Sequence, residues 1–283
     1  MTALARELCR RSHEIALVSV LDTEALVRGV EGLDFVPCCE KEFPRGAMQD
    51  ISGQMSVRRG KEATEFTVKA IAFMTEPLLN SLPDILSKAG IEALVLDTYH
   101  FYMELVPMKL QMPFVHLSNA MHFDYSGHTP LCIYDWPHQS TQEAFERNRR
   151  GVSAFMDVLR RNNPAAIAYA KDAGIELNRD AYNTTSKLAW ITQTPKEFDF
   201  RSTHWPAEFH HTGPFVDEST RAEIDFPWNE LTGEPLIYAS MGTLQNGLVD
   251  VYREICAATA KYKNTQLATV LHNFKARLVM AVE

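Results

Sequence analysis

The chain has 283 residues, 46% of them hydrophobic and 10% aromatic, with a formal net charge of −8 and a pI near 5.7. That composition supplies a substantial core for one large or two medium domains and argues against disorder. The acidic balance weighs against nucleic acid as a partner and leaves at most peripheral membrane contact.

Cysteines stand at 9, 38, 39, 132 and 256, an odd count with no C-x-x-C, which suggests neither a disulfide framework nor a zinc site. Arg6, Glu7, Arg10 and Arg11 open the chain in helical spacing, without the apolar block of a signal peptide. No apolar run is long enough to span a bilayer, and the chain reads as cytoplasmic.

Ala3 to Arg11 has the spacing of an amphipathic helix, with Leu4 and Leu8 on one face. Glu14 to Val20 follows as an apolar strand of the kind buried on both faces of a parallel sheet. Asp22 or Thr23 can cap a helix from Glu24 to Val30, ended by Gly32, and Leu33 to Cys38 is the next strand. Residues 40–60 read as a long surface loop. Glu62 to Leu79 reads as one helix, and Pro83 with Asp84 opens another that stops at Gly90.

Ile91 to Asp97 is an apolar strand that delivers a carboxylate at its end. A helix at Tyr102 to Gln111 and a strand at Phe114 to Leu117 complete a β-α-β unit. Residues 119–142 form a long polar and aromatic loop, followed by helices at Glu143 to Asn162 and Pro164 to Ala173 and a strand at Lys187 to Thr192. Alternating strands and helices predict a doubly wound parallel sheet, in which ligands sit beyond the carboxyl ends of the strands. Asp97 occupies such a position.

From Thr194 to Glu234 the chain is rich in Pro, Phe, Trp and His and poor in periodicity, which suits a connector, with His210 and His211 at a polar strand end. Glu234 to Thr243 then reads as a short buried strand that ends in a small-residue turn. Met241, Gly242 and Thr243 turn out of it, and Leu248 to Lys261 has helical spacing. Such a strand, turn and helix start can present backbone N–H groups to a phosphate. The predicted division is a domain at 1–216, a linker at 217–233 and the start of a second Rossmann-like domain at 234–283.

No G-x-G-x-x-G, Walker A, G-x-S-x-G or H-E-x-x-H occurs, which removes the usual dehydrogenase, P-loop, α/β-hydrolase and zincin readings. His116, His122 and His128 recur at six-residue intervals, a spacing that fits neither helix nor strand ligation, so no metal site is expected. Taken alone, Asp97 is either a helix N-cap or a carboxylate that holds a histidine in the tautomer general-base work needs. Ser240 and Thr243, taken alone, are ordinary turn residues.

In order along the chain, Ala3-Leu4-Ala5-Arg6-Glu7-Leu8 with His13-Glu14, then Leu94-Val95-Leu96-Asp97, Pro113 to Ser118, Phe198-Asp199-Phe200, Thr212-Gly213-Pro214-Phe215 and Pro235 to Thr243 are carried together. This ordered set resembles the UDP-glycosyltransferases of GT-B type, in particular the bacterial macrolide and zeaxanthin enzymes. The resemblance implies an N-terminal domain that binds a hydrophobic small-molecule acceptor and a C-terminal domain that binds a UDP-sugar. It implies inverting transfer of a hexose, with a histidine base oriented by an aspartate and with no metal and no cofactor.

By that resemblance Asp97 matches the orienting aspartate, and Ser240, Gly242 and Thr243 match the turn at the donor diphosphate. His116, Ser118 and Asn119, with the stretches 98–106 and 119–136, would line the acceptor cleft. The family also begins with a strand and a Gly-His loop, and the catalytic histidine of that loop has no counterpart in this chain. The family's central first strand would lie between the strands at 14–20 and 91–96; without it those two pair directly or leave bare edges. The second domain is expected to stop near its second strand, at Gln266 to Leu271. The sequence is therefore expected to be a truncated form, inactive or nearly so by itself, since loss of a positioned base costs about 10²- to 10⁴-fold. The alternatives are a non-catalytic acceptor-binding fragment or partner module, and an unrelated α/β sugar- or nucleotide-binding protein.

Overall fold

A computed structural model describes residues 1–178, 183–200, 204–217, 226, 228–261, 266–271 and 275–280, with side chains described through residue 261. Its elements in order are α1 (Thr2–Arg10), β1 (Ile15–Ser19), β2 (Leu33–Pro37), α2 (Ala47–Ser56), α3 (Gly60–Lys88), β3 (Leu94–Asp97), α4 (Leu105–Leu110) and β4 (Phe114–Ser118). There follow α5 (Gln142–Asn162), α6 (Pro164–Asp172), β5 (Trp190–Thr192), β6 (Phe209–His211), β7 (Leu236–Ser240), α7 (Val249–Thr259), β8 (Gln266–Leu271) and β9 (Lys275–Met280).

Two compact units result, 1–44 with 68–220 and 45–67 with 221–283. In the first, β3, β4, β5 and β6 form a parallel sheet in chain order, and β1 pairs in parallel with β2 in a separate two-stranded sheet. β1 and β3 do not pair. Direct pairing of these two strands, one of the expected outcomes, is not found among the described residues. The core around the larger sheet comes from Leu79 and Leu86 of α3, Leu105 and Val106 of α4, Leu117 of β4 and Leu159 of α5, all at most 1% exposed. Under the smaller sheet, Val27, Val30 and Leu33 pack with Ala5 and Cys9 of α1 and with Ile15, Leu17 and Phe35. That patch is small because each face of a two-stranded sheet offers few positions.

Several expectations are corrected. The helix expected at Glu24 to Val30 is a 3₁₀ turn over Leu21–Leu26, where the Thr23 hydroxyl donates to the Val20 carbonyl instead of capping an α-helix. Residues 40–60 are not all loop: α2 puts Met48, Ile51 and Met55 at helical spacing behind Gly46, whose φ of +94° turns the chain into it. Residues 60–88 make one helix rather than two, with Pro77 and Pro83 inside it, each removing one N–H donor from the ladder. β7, expected to be buried, leaves Leu236, Ile237 and Tyr238 between 36% and 67% exposed.

In the second unit β7 and β8 run parallel around α7, the β-α-β start of a Rossmann-like domain, and β9 then returns antiparallel to β8. The chain therefore continues one strand past the expected stop. Residues 45–67 join this unit through bonds from the Gly247 N–H to the Ser56 carbonyl and from the Gln245 amide to the Arg58 carbonyl, and through an Arg59–Asp250 ion pair. Most of the predicted linker at 217–233 lies outside the described residues.

Candidate functional site

Parallel register brings the carboxyl ends of three strands side by side, Asp97 opposite Leu117 and Ser118 opposite Thr192. The residues just beyond them meet in a chain of hydrogen bonds. The Asn119 amide donates to Asp97 Oδ2 at 2.7 Å, and the Gln193 amide donates to Asn119 Oδ1 at 2.9 Å. Gln193 Oε1 in turn accepts from the Phe215 N–H at 2.9 Å. Asp97 Oδ1 accepts from the Tyr99 N–H at 2.9 Å, and its carbonyl accepts from His100 N–H. Asp97 thus closes a tight turn and is not the N-cap of α4, which begins eight residues later. Each carboxylate oxygen keeps a lone pair after these bonds, so a further N–H donor can be accepted.

Of the residues expected at an acceptor, Asn119 stands beside Asp97 in this way. Ser118 is fully buried, with its hydroxyl accepting from Thr98 at 3.2 Å and from the Trp190 indole at 3.4 Å, so it ties β4 to its neighbours. His116 is 7% exposed, and its Nδ1 accepts from the Ser186 N–H at 3.2 Å. Burial drives its pKa down to about 4, so the ring is neutral near pH 7.

His116 also lines a cleft, partly open to solvent, that takes in Thr98, the residue after Asp97. Phe101, Phe123, Tyr125 and Trp190 give it an aromatic wall, and Met156 and Arg160 reach in from α5. The rings pack on one another: Phe123 lies 5.9 Å from Phe101 and 5.4 Å from Phe155, at tilted angles that suit aromatic quadrupoles. Two residues of the cleft are under local stress. Tyr102 has φ +72°, a left-handed conformation that costs a bulky residue about 1–3 kcal/mol. Glu104 has its carboxyl enclosed beside Thr184, and burial raises its pKa to about 7.

The sequence pointed to the stretches 98–106 and 119–136. It gave no sign of Gln193, of Met156 and Arg160 on α5, or of Leu177 and Thr184, because their distance along the chain hides their convergence.

On the same rim His122 Nε2 and His211 Nε2 lie 3.2 Å and 2.8 Å from one oxygen of Asp199, and His122 Nδ1 meets the Thr192 hydroxyl at 3.0 Å. Burial works against the Asp199 charge, but the hydrogen bonds from both imidazoles outweigh it and hold the pKa below its ordinary value. This cluster ties Asp199 to His122, in the loop after β4, and to His211 of β6. Its ligand atoms, all within 4.8 Å of one another, are the group among the described residues that could hold a cation. Histidine spacing could not find it, because it unites residues from three segments.

Ser240, Gly242 and Thr243 belong to the second unit. Gly242 has φ +71°, and its N–H donates to Ser240 Oγ at 3.2 Å, while the Met241 N–H donates to the Tyr252 hydroxyl at 3.2 Å. Two backbone donors of the turn are therefore occupied internally. α7 starts only at Val249, so the turn and the helix start are not contiguous.

No family model matches the chain. It is 23% identical over 255 residues, 90% of its length, to a zeaxanthin glucosyltransferase of Pantoea ananas, and 23% identical over 267 residues to one of Pseudescherichia vulneris. It spans about three fifths of the length of these curated relatives, 59% and 60%. Among solved structures, the calicheamicin glycosyltransferase CalG4 superposes with a TM-score of 0.58 at 17% identity, covering 96% of this chain and 60% of that one. The Streptomyces glycosyltransferase SsfS6, solved with thymidine diphosphate, gives 0.55 at 14% identity, covering 96% and 64%. Over the part that it spans, the chain has the fold of the GT-B glycosyltransferases.

Proposed function

From a chain tied by sequence and fold to the zeaxanthin and macrolide type of UDP-glycosyltransferase, we propose the acceptor-binding side of a hexosyl transfer. The reaction moves a hexose from a UDP-sugar to a hydroxyl of a hydrophobic small molecule, with inversion. The observation that carries this reading is Asp97, held by Asn119 and the Tyr99 N–H at a strand end whose next residue, Thr98, lines an aromatic cleft. A sugar transfer needs a base to take one proton from the attacking hydroxyl, and a fixed carboxylate gives such a base its orientation. Asp97 supplies the carboxylate. The cleft beside it supplies apolar surface for the body of the acceptor.

The second reading, an acceptor-binding module without transfer chemistry, is favoured by one observation: the N–H groups of Met241 and Gly242 are turned inward onto hydroxyls. Both readings make the acceptor the ligand of this chain. Calorimetric titration with a lipophilic alcohol and, separately, with UDP tests that shared claim. The alcohol is expected to bind at micromolar to millimolar concentration and UDP at least tenfold more weakly. Saturable binding of UDP with none of the alcohol would overturn it.

A further inference from the structure

Tyr102 is 4% exposed and lines the aromatic cleft, yet its hydroxyl is buried with no hydrogen-bond partner among the described residues. Native interiors leave few such groups unpaired, and those that remain call for an explanation. The neighbours that could serve it are engaged elsewhere. Arg160 donates to the carbonyls of Leu177 and Asn178, and Glu104 is bonded to Thr184. The backbone at Tyr102 is also left-handed, a conformation a bulky side chain takes only where its surroundings hold it. An orphaned hydroxyl, held in place against backbone preference, in the wall of an open cleft is the pattern of a preformed ligand contact.

We propose that Tyr102 is the polar anchor of the cleft, hydrogen-bonding an uncharged hydroxyl or carbonyl oxygen on a flat, otherwise apolar molecule. This rests on the acceptor reading above and adds to it: the acceptor carries a second oxygen, separate from the hydroxyl that would receive the sugar. The lining chooses the chemistry. Phe101, Phe123 and Trp190 offer ring faces and edges for a planar apolar body. Arg160 stands in the same wall with its guanidinium already bonded to the Leu177 and Asn178 carbonyls, and burial disfavours the charge on Glu104, so an uncharged oxygen suits the site.

Fluorescence titration with 2-naphthol and with naphthalene, at pH 7, tests it in the wild-type chain and in Tyr102→Phe. Wild type is expected to bind 2-naphthol about tenfold more tightly than naphthalene, the effect of one buried hydrogen bond. The variant should lose that preference while keeping its affinity for naphthalene, which also shows that its cleft is intact. Equal binding of both probes by wild type, or an unchanged preference in Tyr102→Phe, overturns the anchor and leaves the acceptor reading standing. If wild type binds neither probe, the acceptor reading falls with it. A variant that loses both probes assigns the hydroxyl a structural role and overturns the proposal. Should circular dichroism show the variant unfolded, the wild-type comparison decides alone.

Discussion

Glu104 sits where burial opposes its charge, and the consequence is a dependence of stability on pH with a definite sign. Its folded pKa of about 7 lies above the ordinary 4.5, so the stability tied to its neutral form is complete below about pH 4.5 and is lost as pH rises through about 7. The shift corresponds to about 3 kcal/mol across that window. Glu104→Gln removes the titration. Its melting temperature relative to wild type should therefore rise by roughly 5 °C or more between pH 5 and pH 8, measured by calorimetry. A difference that stays constant with pH would show that the carboxyl is solvated. His116 works in the other direction: its folded pKa of about 4 lies below the ordinary 6.5, so its contribution is lost as pH falls through that range. Neither effect could be read from sequence, because both depend on enclosure by residues far along the chain. Asp97 was legible, since an apolar run that ends in a carboxylate marks a strand end in a doubly wound fold. Its partners were not: Gln193 lies 74 residues beyond Asn119, to which it donates.

At the scale of elements, α5 shows how a helix is fitted against the loop that precedes it. Gly151 stands inside this helix, where a glycine costs about 1 kcal/mol relative to alanine. The reason is contact: a Cβ there would come within 2.7 Å of the Trp136 ring and 2.9 Å of the Tyr134 ring. Those rings are stacked at 4.0 Å, and the Tyr134 hydroxyl donates to the Gly151 carbonyl. Overpacking of this kind costs about 1–3 kcal/mol, which matches or exceeds the gain in helix propensity. Gly151→Ala should therefore lower the midpoint of thermal unfolding, whereas a stabilised variant would mean that the 119–141 loop moves aside freely. Periodicity found α5 almost to the residue, because it carries a long amphipathic pattern, and Pro164 at the first turn marks the start of α6. It missed α2, although Met48, Ile51 and Met55 have helical spacing, because Gly46, Gly53 and the surrounding charges read as loop. It split α3 at prolines that the packed helix tolerates.

At the scale of the whole molecule, the pairing of strands is the informative feature. β1–β2 and β3–β6 are both parallel, yet β1 and β3 do not pair, and the edge strand β3 leaves Val95 36% exposed. The aromatic cleft and Asp97 lie within the first unit, and the turn expected at a diphosphate lies in the second. The type of fold was legible from the alternation of strands and helices and from the order of motifs. The separation of the sheets was left open, because strand pairing depends on which edges meet and no local pattern records that. The central claim is that Asp97 orients the base of a hexosyl transfer into the cleft. It is tested most directly by fusing this chain to the segments that the Pantoea ananas relative has beyond the matched 59% of its length, then measuring hexosylation of a lipophilic alcohol from UDP-glucose by mass spectrometry. The fusion should transfer the sugar, and Asp97→Ala should slow it by about a hundredfold or more at unchanged acceptor affinity. Transfer at the same rate with alanine at that position would contradict the account.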